Sequence, residues 1–154
     1  MIDLDVDVAE LVPWFVTERD EPYVLIRVPA EHAAALPQRL RLVVRRCYLT
    51  DAALEQNAAR TGRPKAEVLA AKLPDPGSTM AGDFGEILAY LFQAAAEHPK
   101  PVVGPKKWGL RQTRTHAAPY SDVVQFVVPS WPTASADDRL LCSEVKLKST
   151  DTTF

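Results

Sequence analysis

The chain has 154 residues, of which 47% are apolar and 25% charged, with a net charge of -2. That size fits one domain, or one domain with an appendage, and the balance is that of an ordinary soluble protein. No apolar run approaches the ~20 residues that span a bilayer, and the acidic start "MIDLDVDVAE" is unlike a secretion signal. Both features argue against a membrane location and point to the cytoplasm. The two cysteines, Cys47 and Cys142, lack metal-ligand or redox-motif spacing. Each lies in an apolar stretch and is expected to be a buried free thiol, consistent with a reducing compartment.

Charge is unevenly distributed. Residues 1–37 carry a net -6, leaving +4 on the remainder. Between Glu97 and Asp122 there is no acid, and Lys100, Lys106, Lys107, Arg111 and Arg114 fall inside that gap. Such a segment can meet a polyanion, or it can be the solvated face of a strand.

In chain order, "EPYVLIRVP" predicts a strand ending at Pro29. "AEHAAALPQRLRLVVRRCYL" has helical spacing on both sides of Pro37 and allows a strand from Leu42 to Leu49. "TDAALEQNAARTGRPKAEVLAAKL" predicts two short helices, with Thr50 as N-cap and Gly62 and Pro64 separating them. This pair is also similar to the helical half of a ribbon-helix-helix DNA binder, which would require a paired strand before it. "PDPGS" marks a boundary, giving an N-terminal α/β appendage over residues 1–75 and a core over 76–154.

In "STMAGDFGEILAYLFQAAAEHPKP", Phe84, Ile87, Leu88, Leu91, Phe92 and Ala95 recur at helical spacing, and Pro99 stops the helix. Its polar stripe of Glu86, Tyr90, Gln93 and Glu97 is narrow, so the helix is expected to be covered on more than one side. Glu86 then faces a cleft, or it is an N-terminal acid favoured by the helix dipole. Three strand-like stretches follow: "KKWGLRQTRTH", "SDVVQFVVP" and "RLLCSEVKLKS". The turn-rich "SWPTASADD" predicts a hairpin between the last two.

Residues two apart on a strand share a face, so Glu144, Lys146 and Lys148 point one way. Asp122 opens the preceding strand, where an antiparallel hairpin can set it beside Glu144. Two dry carboxylates so placed repel each other unless a cation compensates them, and Mg²⁺ accepts such oxygen ligands. An exposed cross-strand charge pattern is the plainer alternative for Glu144 and Lys146, and a strand cap for Asp122.

The order helix acid, Asp at a strand start, then Glu-x-Lys, in "GDFGEILAYLF", "YSDVVQF" and "SEVKLKS", resembles the PD-(D/E)xK nuclease superfamily. The fuller strings "LPDPGSTMAGDFGEILAYLF", "KKWGLR" and "SEVKLKST" resemble the HamA family, the nuclease subunit of Hachiman antiphage defence, over roughly residues 66–150. The resemblance implies an α/β (mixed α+β), restriction-endonuclease-like core in which a helix packs on a central mixed sheet. It implies a Mg²⁺- or Mn²⁺-dependent DNA endonuclease working with a superfamily 2 helicase, HamB. Matched position by position, Glu86 is the first-helix acid, Asp122 the metal-binding aspartate, Glu144 the second acidic ligand and Lys146 the motif lysine. Lys106, Lys107, Arg111, Arg114 and Lys148 are expected to neutralise DNA phosphates. The fold would continue beyond Lys146 with a helix and a strand, so the core is expected to be truncated at its C-terminal end, or completed by a partner or a second copy. The other expectation from a different class is a catalytically silent nucleic-acid or protein interaction module on the same frame.

Overall fold

The computed structural model describes residues 4–20, 22–116, 118–119 and 121–148. Asp3 and Glu21 of the acidic segment, and Ser149 of the last strand-like stretch, lie outside the described residues. Asp7 opens helix α1 (Val8–Leu11) by accepting the Ala9 backbone N–H at 2.9 Å, satisfying one of the orphan donors of a helix start. A 3-10 turn (Val12–Trp14) leads into the hairpin β1 (Val16–Asp20) and β2 (Tyr23–Arg27), paired antiparallel from Val16↔Arg27 to Asp20↔Tyr23. Every residue of β2 is exposed.

After α2 (Ala30–Ala33), helix α3 runs from Leu36 to Tyr48, and the strand allowed over Leu42–Leu49 does not form. The physical reason lies in burial at helical spacing. Leu40, Val43 and Cys47 recur on one side and all enter the core, which outweighs the β-preference of Val43 and Val44. Pro37 sits in the first turn, where its missing N–H has no helical partner to lose. At the other end Arg45 and Arg46 both pair with Asp51 of the next helix.

Helix α4 (Asp51–Thr61) is capped by Thr50, whose hydroxyl accepts the Ala53 N–H, and ends at Gly62 in the left-handed region (φ 67°). Helix α5 (Lys65–Ala70) follows. Because a helix rather than a strand precedes α4, the ribbon-helix-helix arrangement is absent.

Helix α6 (Ser78–Glu97) is the longest element, and it is covered on more than one side as its narrow polar stripe predicts. Ile87 and Leu91 are wholly buried, each contributing about 1.5–3 kcal/mol of apolar transfer. They join one core with Leu4, Leu11 and Trp14 from the N-terminal stretch, with Leu40, Val43, Cys47 and Tyr48 from α3, and with Trp108 and Val123. Residues on both sides of "PDPGS" therefore share one hydrophobic cluster.

The three-stranded sheet has the order β3 (Val102–Val103), β4 (Val123–Val127), β5 (Arg139–Ser143), antiparallel throughout. The predicted hairpin is present, with Val123↔Ser143 and Val127↔Arg139 as its outer pairs. The stretch "KKWGLRQTRTH" is not a strand: Lys107–Leu110 form a 3-10 turn that drives Trp108 into the core. Val123, Gln125 and Val127 are buried, while Phe126 and Leu140 are exposed on the opposite face. Gly104 lets β4 come close, since a Cβ there would stand 2.6 Å from the Val124 carbonyl oxygen.

Among the described residues no helix is long and apolar enough to cross a membrane. Cys47 is buried and its thiol is pushed up to about 12 by desolvation, whereas Cys142 is exposed, unlike the buried thiol its apolar flanks suggest. Alternation along β5 turns Cys142 away from the core. Ellman's reagent should therefore modify Cys142 quickly in the native protein and Cys47 only after denaturation. Equal native rates for both thiols would contradict this placement.

Candidate active site

The site is built where α6, the 3-10 turn and the start of β4 meet. Glu86 lies in the third turn of α6, with its side chain 14% exposed. Its Oε2 accepts the Trp108 indole N–H at 2.9 Å and stands 3.1 Å from the Lys107 amine. Lys107 is in turn 3.7 Å from Asp122 Oδ1, and its side chain is 7% exposed. Asp122 Oδ2 accepts the Val145 backbone N–H at 2.7 Å. One buried ammonium thus bridges two carboxylates from different elements. A pocket of about 160 Å³ adjoins them, lined by Tyr90, Lys107, Trp108, Asp122 and Val124 among others.

The Asp122 contact also shapes the Glu-x-Lys segment. One step beyond the last paired residues, Val123 and Ser143, stand Asp122 and Glu144. There the ladder gives way: the Val145 N–H goes to a carboxylate rather than to a backbone carbonyl, and β5 ends at Ser143. Val145 and Leu147 then lean on α6 at Gly85, where a Cβ would sit 3.3 Å from Leu147 Cβ. Glu144 and Lys146 face solvent, 71% and 82% exposed, and pair with each other.

The structure therefore brings Glu86 and Asp122 together through Lys107, and holds Glu144 and Lys146 beside them as an exposed pair. No described contact joins Glu144 to Glu86 or Asp122. Among the described residues no three His, Cys, Asp or Glu side chains are grouped to hold a metal ion. Carboxylate oxygens facing one positive charge are the donor type a hard divalent cation takes. In this conformation the Lys107 amine fills the gap between them.

Burial dominates the electrostatics of Glu86. Desolvation lifts its carboxyl above the ordinary 4.5, and Asp122 adds to the rise, while Lys107 and Trp108 oppose it. Because the folded value lies above the unfolded one, Glu86 contributes stability that is fully present below pH 4.5 and is lost as pH rises through its folded value. A Glu86→Gln variant, compared with wild type by urea unfolding in EDTA, should close any deficit as pH rises from 4.5. Parallel curves across that range would show that Glu86 titrates as in solvent. The Lys146 amine is raised by its hydrogen bond to Glu144, then by the charges of Glu144 and Asp122.

The five basic residues expected on DNA are placed differently from one another. Lys148 is exposed. Arg114 is about half exposed and pairs with Asp75 at 2.6 Å. Lys106 is half-buried, and desolvation pulls its amine down. Lys107 and Arg111 are interior. Arg111 pairs with Asp83, both side chains 3% exposed, and Tyr48 donates its hydroxyl to the same Asp83 oxygen at 2.7 Å. A guanidinium so committed is not presented to a phosphate. Burial, and then Asp83, push the Tyr48 hydroxyl upward. Sequence reasoning missed Asp83 and the bridging role of Lys107, because neither local pattern announces its distant partner.

We found no curated protein and no solved structure that matches this chain. Comparison with known families matches residues 22–154 to HamA. The α-helix acid, the strand-start aspartate and the Glu-x-Lys segment all fall inside that match, and the chain belongs to the HamA family, a component of Hachiman antiphage defence.

Proposed function

We propose that this protein is a metal-dependent DNA endonuclease of the PD-(D/E)xK type, the effector of a Hachiman system that works with a superfamily 2 helicase of the HamB kind. The observation that carries this is the convergence of Glu86 and Asp122 on one buried cation, Lys107, directly beside Glu144 and Lys146. Asp122 and Glu144 would hold Mg²⁺ or Mn²⁺, with Glu86 adding an inner carboxylate and Glu144 turning in from solvent. A bound ion of this type polarises a phosphoryl oxygen and lowers the pKa of its water.

The protein's own residues do the remainder. Trp108 orients Glu86, and the Val145 N–H orients Asp122. Lys146, an exposed ammonium beside this centre, offsets charge growing on a phosphate oxygen. Lys106, Arg114 and Lys148 neutralise flanking phosphates, which positions DNA without specifying sequence and makes binding fall steeply with salt.

The test is conversion of supercoiled plasmid to nicked and linear forms, with Mg²⁺, Mn²⁺ or EDTA, with and without the purified helicase. Nicking in either metal that EDTA stops is expected. Cleavage undiminished by EDTA, or none under any condition with the helicase present, would contradict the proposal.

A further inference from the structure

Lys107 occupies the space where the nuclease reading puts an ion. Its amine faces Glu86 Oε2 at 3.1 Å and Asp122 Oδ1 at 3.7 Å from an almost wholly buried side chain. The neighbouring Trp108 is 1% exposed and bonds the same Glu86 oxygen, so the turn carrying Lys107 is fixed by the core. An ammonium and a divalent cation cannot share this gap. The oxygens that neutralise one are those that would coordinate the other, and like charges ~4 Å apart repel strongly away from bulk water.

We infer that Lys107 is an internal counter-cation, and that a divalent ion enters only by displacing its amine toward solvent. The inference rests on the nuclease reading for there being an ion to load. Lysine suits such an exchange, since its ammonium is a compact charge on a flexible four-carbon stem that can swing out while the backbone stays in place. Two consequences follow from the geometry. The two carboxylates are compensated before any ion arrives, so the fold does not depend on metal. The ion must also compete with a tethered charge, which holds its affinity below what the carboxylates alone would give.

The experiment is calorimetric titration of Mn²⁺ into wild type and Lys107→Met. The variant is expected to bind Mn²⁺ at least about tenfold more tightly, a modest share of the interaction between charges this close. Equal or weaker binding by the variant overturns the inference while leaving the nuclease reading intact, because that reading is judged separately by nicking in Mg²⁺ and EDTA. Absence of Mn²⁺ binding by both proteins, at concentrations that support nicking, also overturns it.

If Lys107→Met does not fold, the wild type alone decides. Reductive methylation followed by mass spectrometry should find Lys107 protected without metal and modified faster when Mn²⁺ is added. An unchanged or slower rate overturns the inference. A lysine that stays in place would not be methylated faster on adding Mn²⁺, so the methylation rate separates displacement from the simple loss of a nearby charge.

Discussion

Lys146→Ala and Glu144→Ala are each expected to remove plasmid nicking by about 10²- to 10³-fold, the usual loss when one charge-stabilising group at a reacting centre is deleted. Both side chains are mostly in solvent and pair with each other, so neither deletion opens the core. Circular dichroism and thermal midpoint should therefore stay at wild-type values. That separation of activity from stability is what gives the pair its diagnostic value. Lys146→Arg keeps the charge but not the compact ammonium, and should recover little. Either alanine variant cutting at the wild-type rate would remove these residues from the mechanism.

The second large effect is on stability. Asp83→Ala is expected to cost about 3–5 kcal/mol, because it strands a guanidinium that cannot lose its proton inside the core. The Tyr48 hydroxyl loses its acceptor in the same step, adding to the penalty of a buried unsatisfied donor. These three residues tie α3, α6 and the segment after the 3-10 turn together, so the loss is global rather than local. Replacing the charged pair together, as Asp83→Leu with Arg111→Met, should recover much of it, since paired removal leaves no orphan charge. Chemical denaturation measures both variants. A single-variant loss below about 1 kcal/mol would mean that water reaches Arg111.

The parts of the fold written in local pattern were legible. The spacing of Ile87, Leu88, Leu91 and Ala95 gives α6, and the β-branched run at Val123–Val127 with the turn-rich loop gives the hairpin. Thr50 and Gly62 mark α4 because capping is a local property. Elements decided by distant contacts were not legible. Val43 and Val44 suggest a strand, yet burial of Leu40, Val43 and Cys47 against α6 makes the segment helical. "KKWGLR" reads as a basic strand, and only the core's demand for Trp108 bends it into a turn.

The candidate site divides along the same line. Glu86, Asp122, Glu144 and Lys146 stand out through the resemblance to a nuclease superfamily whose motif order they match, since each alone has a plainer reading. Lys107 and Arg111 look like solvent-facing bases until their partners, Glu86 and Asp83, are seen 21 and 28 residues away in sequence. A charge's role depends on what faces it, and that information is long-range. The match to HamA over residues 22–154 extends well past the segments whose motifs suggested it.

The most direct measurement is an anomalous difference map from crystals soaked in Mn²⁺. The expected result is one peak between the Glu86 and Asp122 carboxylates, with Glu144 turned in from solvent and the Lys107 amine moved out. A map with no peak there, or with Mn²⁺ bound only by surface acids elsewhere while Lys107 still bridges the two carboxylates, would contradict a metal-dependent nuclease centred on these residues.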